Sequence, residues 1–427
     1  MKKILWIVNM LLKPTNTEIV NQASNGLWIE ALLESFKNNQ DYQIVVATTA
    51  KVKKTMRTEE DGIVYYVLPD AFPTLYNENK ESNINVWRKL FMYENPDLIQ
   101  VWGTEFTHGL CALRCAEGIP SVIYMQGYIG AISKHYLAGM TNKELKKNIT
   151  LRDIIKHDSI LMQQEKYRLQ AEKEKEMFRL AGRIISENIW CDMNIKTVCK
   201  DVKVYHCPLS INSVFSKHNW DISKAEKHSI MCNASGYPLK GLHMILRAVN
   251  ILKNEYPDIK LYIPGPKMTS DGSFIWTLRK RGYTKYIEKL IKELGINNNI
   301  VWLGSINQAE LAGYYERARV FVLCSSIENH SSSLKEAMMV GTPCVASAVG
   351  GIPEYVKNGE NGFLYRFEEY EIMAGYVKRL FEDNGLAVKF SNEAKRRLNE
   401  LHNSLSISNL ISEIYTCILE ESKCTHQ

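Results

Sequence analysis

The sequence predicts an α/β protein of two doubly wound, Rossmann-like domains, and three observations carry that prediction. Short apolar runs alternate with helical patterns at 4–8, 43–47, 64–67, 98–102, 121–125 and 183–186. A second series of the same kind occupies 229–233, 260–263, 300–303, 320–323 and 343–347. Between them lies the polar stretch SKHNWDISKAEK (216–227), which reads as a linker. Runs of this kind, separated by helices, indicate parallel sheets covered on both faces.

The first run follows Met1, Lys2 and Lys3 and has the look of a secretion signal. Its apolar stretch is short, no small-residue cleavage site follows, and Lys13-Pro14 interrupts it, so it reads as a first buried strand. No segment reaches the run of about 18 to 20 apolar residues that a spanning helix needs. At 427 residues, 45% hydrophobic and 23% charged, the chain has room for two domains with large cores. Its ten cysteines are scattered, with no Cys-x-x-Cys pair and no cluster at zinc-ligand spacing. Reduced thiols, a cytoplasmic setting and no metal are therefore expected. Nucleic acid is a poor partner for this chain, which lacks a concentrated basic stripe with interleaved aromatics.

The most informative segment of the second series is ENHSSSLKE (328–336), directly after the apolar run 320–324. That run reads as a buried strand, Ser331 to Ser333 as helix-capping residues, and LKEAMM (334–339) as a helix stopping near Gly341-Thr342-Pro343. A strand feeding a helix in this way aims backbone N–H groups and the positive helix end into the crevice at the strand's carboxyl end. Such a crevice suits a diphosphate. Glu328 in the loop and Glu336 on the helix are placed to accept hydrogen bonds from hydroxyls on either side of it.

The same segment continues into GTPCVAS (341–347), VGGIPE (349–354) and NGENGFL (358–364), and upstream stands SGYPLKG (235–241) after the strand-like 229–234. Together with LYIPG (261–265), NIVWLG (299–304) and LAGYYERA (311–318), these motifs resemble the retaining glycosyltransferases of the family-4, group 1 type. The similarity covers about 228–385 well and the first half only in outline. It implies the GT-B fold, two Rossmann-like domains facing across a cleft. The implied division is an acceptor-binding domain at 1–218, a nucleotide-sugar-binding domain at 228–385, and helices at 386–427 crossing back to the first domain.

By the same resemblance, Lys240 neutralises the leaving diphosphate beside Ser235 and Gly236, while Asn329, His330, Ser331, Ser332 and Ser333 cradle it. Glu336 binds the ribose hydroxyls, Glu328 holds the transferred sugar, and backbone near Gly304 and Ser305 meets the base. Glu328, Lys240 and Gln126 are the implied catalytic set. The donor is a substrate, and no cofactor or metal is implied. Acceptor recognition falls to Gly26, His108, Gln126, Gly127 and Tyr128.

Two departures from the family pattern stand out. Gln126-Gly127 replaces the usual histidine before glycine; an amide can hold a hydroxyl but cannot relay a proton as imidazole does. His108 is the candidate to compensate. The family's arginine ahead of the lysine falls near Ser235, so a diphosphate-binding cation is missing; Lys267, Arg279, Lys280 and Arg281 are candidate replacements.

The expected reaction moves a sugar from a nucleotide-sugar donor to a saccharide or lipid-linked saccharide, in bacterial surface polysaccharide biosynthesis by analogy. A non-catalytic sugar-nucleotide-binding protein and a GT-B relative such as a phosphorylase or nucleotide-sugar epimerase are the alternatives. The charged segment 139–182, with KELKK (143–147) and QEKYRLQAEKEKE (164–176), reads as a solvated helix with mixed ion pairs. Its lysines and arginines outnumber its acids and the whole chain is formally +6, so the segment also offers a basic face for anionic lipid headgroups, an expectation that places the protein at the inner face of the plasma membrane.

Overall fold

The structure, a computed structural model, describes residues 1–12, 15, 27–37, 39–69, 77–234, 236–270, 273–401 and 407–424. Contacts divide the chain into two compact units. One comprises Met1–Gly130, Leu169–Asn212 and Ser404–Gln427, and the other Ala131–Arg168 and Ser213–Asn403.

The sheet of the first unit contains β1 (Lys2–Ile7), β2 (Tyr42–Ala50), β3 (Met56–Glu60), β4 (Ile63–Pro69), β5 (Leu98–Trp102), β6 (Ser121–Tyr124), β7 (Arg183–Ser186) and β8 (Lys203–His206). Their order is β3-β4-β2-β1-β5-β6-β7-β8, parallel except for β3. Most strands are buried along their length because helices cover both faces. β3 and β8 were not legible as apolar runs. β3 is the polar sequence MRTEE, and it pairs antiparallel with β4 through Asp61 and Gly62, both at positive φ (53° and 77°), the backbone a tight hairpin turn requires.

The second unit's sheet contains β9 (Glu226–Met231), β10 (Lys260–Pro264), β11 (Ile300–Gly304), β12 (Ala318–Leu323), β13 (Cys344–Ser347) and β14 (Phe363–Tyr365). It is parallel throughout, in the order β11-β10-β9-β12-β13-β14. β14 has three residues, too few to show a pattern in the sequence.

The contact division differs from the segments read off the sequence, for identifiable reasons. Residues 131–168 group with the second unit because His243, 2% exposed, spans from Tyr283 Oη at 3.0 Å to the carbonyl oxygen of Ala138 at 2.9 Å. Tyr286 Oη adds a hydrogen bond to Glu144 at 3.0 Å. The 216–227 stretch is no free linker: Trp220 is buried, and its indole N–H donates to the Ala318 carbonyl at 2.8 Å. Helix Asn384–Leu401 packs on helix Ser332–Val340, within the second unit. Helix Ile407–Cys424 instead joins the first unit's core, where Trp6 Nε1 donates to Tyr415 Oη at 2.9 Å and Tyr415 Oη donates to Gln100 Oε1 at 2.6 Å.

No helix among the described residues is long and apolar enough to cross a membrane. The expected charged helix spans Ile160–Ala181, preceded by short helices at Asn142–Lys147 and Leu151–Ile155.

Candidate functional site

Strand order fixes where chemistry can gather. In the second sheet, successive strands build outward from β9 to β10 and β11, then return to β12 on the other side. The loops after β9 and β12 therefore diverge, leaving the crevice at the carboxyl ends of parallel strands where ligands bind in such folds. Lys240 follows β9 and Glu328 follows β12. Their side chains meet, Lys240 Nζ to Glu328 Oε1, at 2.7 Å. Ser325 Oγ donates to the same carboxylate oxygen at 2.6 Å.

Two glycines make this meeting possible. Gly241 has φ +68°, and a Cβ there would lie 1.7 Å from the carbonyl oxygen of Cys324, so the Lys240 turn can rest on the end of β12 only without a side chain. Gly350 has φ +53°, and its Cβ would lie 1.7 Å from the carbonyl oxygen of Glu328. Gly351 N then donates to that carbonyl at 3.2 Å. The Glu328 loop is thus clamped from both sides, since Ser326 N also donates to the Leu239 carbonyl at 2.7 Å. Burial pulls the Lys240 ammonium down, but the adjoining Glu328 charge and hydrogen bond outweigh it and hold its pKa above the ordinary lysine value.

Ser331 caps helix Ser332–Val340, accepting from Leu334 N at 3.3 Å, and Gly341 ends it at φ +90°. The first turn's N–H groups have no carbonyl four residues earlier, so they face the crevice with the positive end of the helix. Glu336, one turn on, accepts from Tyr315 Oη at 3.1 Å, and Tyr315 accepts from Asn233 Nδ2 at 3.0 Å. Burial raises the Glu336 carboxyl to about 7, against the Tyr315 hydrogen bond, which lowers it. Asn329 is buried and His330 half-buried in the same loop. Gly304 ends β11 at φ +68°, its carbonyl accepting from Gly265 N at 2.8 Å, and Ser305 beside it is exposed. Ser235 lies outside the described residues, whereas Gly236 is described at φ +109°.

Among the candidate replacement cations, Lys280 is taken by Glu288 at 2.7 Å. Arg279 lines a separate groove with Leu151 and Ile155. Lys267 is exposed beside Met268, whose sulfur accepts from Gly236 N at 3.4 Å. Arg281 lines a small cavity with Gly236, Tyr237 and Pro238, on the turn that carries Lys240, and its guanidinium is 4.0 Å from Asp158. A second groove opens beside Ser326 and Val349, edged by Lys134, His135 and Arg366.

The first unit has its own switch point, between β1 and β5. Asn9 after β1 donates to Glu105 Oε2 at 2.9 Å, and Glu105 Oε1 accepts from Gly127 N at 2.8 Å. Glu174, 1% exposed, accepts from Thr104 Oγ1 at 2.6 Å, Ile129 N at 3.0 Å and Gly130 N at 2.9 Å. Burial drives the Glu174 carboxyl up to about 8, helped by the Glu105 charge and opposed by those hydrogen bonds. Buried Glu174 and half-buried Glu105 thereby fix the loop that presents half-buried Gln126.

Two acceptor expectations change, and a third residue lies outside the described ones. His108 is not on an open loop. It lies in the first turn of helix Thr107–Arg114, 1% exposed, with Nε2 3.2 Å from the Val8 carbonyl oxygen and its ring stacked on Trp87 at 6.5 Å. Burial pushes its pKa down to about 4, so it is a neutral core histidine. Tyr128 is also buried, its ring against Trp190 at 6.1 Å, and supports the loop instead of presenting a phenol. Gly26 lies outside the described residues. Tyr315, Asn233, Ser325 and the glycines 241 and 350 belong to the second unit's site although sequence reasoning did not single them out as site residues. The Gly350-Gly351 pair was the available signal.

The architecture is the GT-B fold, two α/β domains each built on a sheet that is parallel but for β3. Residues 216–397 match the model of the glycosyl transferases group 1 family. An uncharacterized glycosyltransferase of Methanocaldococcus jannaschii is 29% identical over 181 residues, 42% of this chain and 43% of that protein. The first curated relatives it matches are covered over less than half of their length. In fold, sucrose-phosphate synthase from Thermosynechococcus elongatus superposes with a TM-score of 0.72 at 16% identity, covering 99% of this chain and 100% of that one. Anabaena HepE in complex with UDP-glucose does so with a TM-score of 0.66 at 15% identity, covering 98% and 100%.

Proposed function

We propose that the protein is a retaining, metal-independent glycosyltransferase that moves a sugar from a nucleotide donor to a saccharide or lipid-linked saccharide. The carrying observation is the Lys240–Glu328 pair at the switch point of the second sheet, at 2.7 Å. A cation and a carboxylate held together there match the two halves of a nucleotide sugar, a diphosphate and a hydroxyl-rich ring. That a fold neighbour was solved with UDP-glucose supports a donor of this class.

In this reading Lys240, the N–H groups near Ser331 to Ser333 and Arg281 stabilise the charge growing on the leaving diphosphate. Stabilisation of that kind, preorganised and partly dry, needs no carboxylate nucleophile. Glu328 fixes the transferred sugar through its hydroxyls, and Glu336 accepts from the ribose. The leaving phosphate oxygen takes the acceptor hydroxyl's proton as the new bond forms on the same face, giving retention. Gln126 steadies a hydroxyl without carrying a proton. The groove beside Ser326, two residues from Glu328 along the loop, is edged by Lys134, Arg366 and Glu368 and suits a polar group on the acceptor. The setting is the inner face of a bacterial plasma membrane, in surface polysaccharide assembly.

The anomeric configuration of the first-formed product, followed by proton NMR with acceptor glycans present, tests the reaction. Retention from an α-linked donor gives an α product. A β product, or an epimerised nucleotide sugar without transfer, removes this reading.

A further inference from the structure

Helix Leu151–Ile155 sits inside out. Its one acidic side chain, Asp153, is 1% exposed, while Leu151 (65%), Ile154 (58%) and Ile155 (65%) face solvent. The orientation is locked. Thr150 and Asp153 cap the helix reciprocally, Asp153 N to Thr150 Oγ1 at 3.2 Å and Thr150 N to Asp153 Oδ2 at 3.1 Å. Gly282 lets the segment close in, since a Cβ there would lie 2.8 Å from Asp153 Oδ2 and 2.9 Å from the Asn148 carbonyl. Lys285 Nζ ties the preceding strand of chain by donating to the carbonyls of Lys147 at 3.3 Å and Ile149 at 3.4 Å. Leu278, 53% exposed, continues the apolar patch across the groove.

The rim of this patch is cationic. Lys156 and Arg279 line it with no acidic partner among the described residues. Lys147 lies against Lys289, whose like charge pushes the Lys147 ammonium below the ordinary lysine value, while Lys289 itself is paired with Glu293 at 3.3 Å. Lys156 and Arg279, without acidic partners at the edge of a fixed apolar face, suit anions, and the exposed branched aliphatics beside them suit an apolar phase. One partner supplies both at once: a bilayer with anionic headgroups.

We propose that this face docks the protein on an anionic membrane surface, Leu151, Ile154, Ile155 and Leu278 entering the headgroup layer while Lys147, Lys156 and Arg279 meet lipid phosphates. It deepens the proposed reaction by placing the acceptor in a membrane, and it rests on that reading only for its purpose. The docking itself needs no sugar chemistry.

Co-sedimentation of the full chain with vesicles tests it, comparing phosphatidylcholine alone with phosphatidylcholine containing roughly one third phosphatidylglycerol. Binding to the anionic vesicles, weakened by salt, is the expected result. Leu151→Glu/Ile155→Glu and Lys156→Glu/Arg279→Glu each lower it about tenfold or more, with circular dichroism and nucleotide release from a soluble donor unchanged. Equal binding by native and variants overturns the proposal, as does self-association through this face without vesicle binding. Vesicle binding by a chain that releases no nucleotide from any donor would leave the docking standing and remove the reaction.

Discussion

Lys240 Nζ lies 2.7 Å from Glu328 Oε1, joining the first loop of the second sheet to the loop across its switch point. If that lysine meets the leaving diphosphate, Lys240→Ala lowers turnover of a nucleotide sugar by about 10²–10³. It also leaves Glu328 without its cation, so Lys240→Arg, which keeps the charge, recovers part of the loss. Arg281→Ala costs less, because Asp158 already shares its charge at 4.0 Å. Single-turnover nucleotide release measures all three.

Glu336 gives a pH signature. Burial raises its carboxyl to about 7, so the folded chain holds that proton more tightly than the unfolded chain does. Its contribution to folding is therefore fully present below the ordinary carboxylate value and is lost as pH rises through about 7. Ribose hydroxyls donate best to the ionised form, so nucleotide affinity should climb between pH 6 and pH 8 on the order of severalfold. Calorimetric titration of UDP, GDP and ADP checks this, and Glu336→Gln should flatten the curve.

Gly350→Ala should injure the site more than the fold. The substituent meets the Glu328 carbonyl oxygen and must hold φ +53°, a conformation that costs a side chain about 1–3 kcal/mol. Thermal unfolding should show a loss larger than that, since the clash adds to the strain, and donor turnover should fall further because Glu328 is displaced. Gly359→Ala, also at positive φ but with open space at Cβ, serves as the control for backbone strain alone.

Glu174 makes the first unit sensitive to alkali. Its carboxyl is raised to about 8, so its support for folding, complete at low pH, fades as pH climbs from the ordinary carboxylate range through about 8. Glu174→Gln keeps the shape and removes the titration. The difference in unfolding midpoint between native and variant should therefore change steadily from pH 5 to pH 9, measured by differential scanning calorimetry.

The second domain was more legible than the first, and the reason is physical. Helix Ser332–Val340 announces itself through Ser331, Gly341 and the apolar strand before it, all local signals. β3 and β14 were hidden because one is polar and the other three residues long. His108 misled because exposure is set by tertiary packing: nothing in its neighbours' identity says that Val8 and Trp87 close over it. Glu174 was invisible for the same reason, 48 positions from Gln126 in a charged helix whose other acidic residues lie at or near the surface. The Glu328–Glu336 spacing was readable, but the hydrogen bonds from Ser325 and Tyr315 that orient the two carboxylates come from separate elements.

The proposed reaction is turnover of a nucleotide sugar, without a metal, in the crevice between the loops after β9 and β12. Release of free nucleotide from UDP-, GDP-, ADP- and dTDP-sugars, with a chelator present and membrane-lipid and glycan acceptors added, tests it in the native chain beside Glu328→Ala and Lys240→Ala. Selective turnover that survives the chelator and is lost in both variants is the predicted result. Turnover that the chelator abolishes, or that both variants retain, would contradict it.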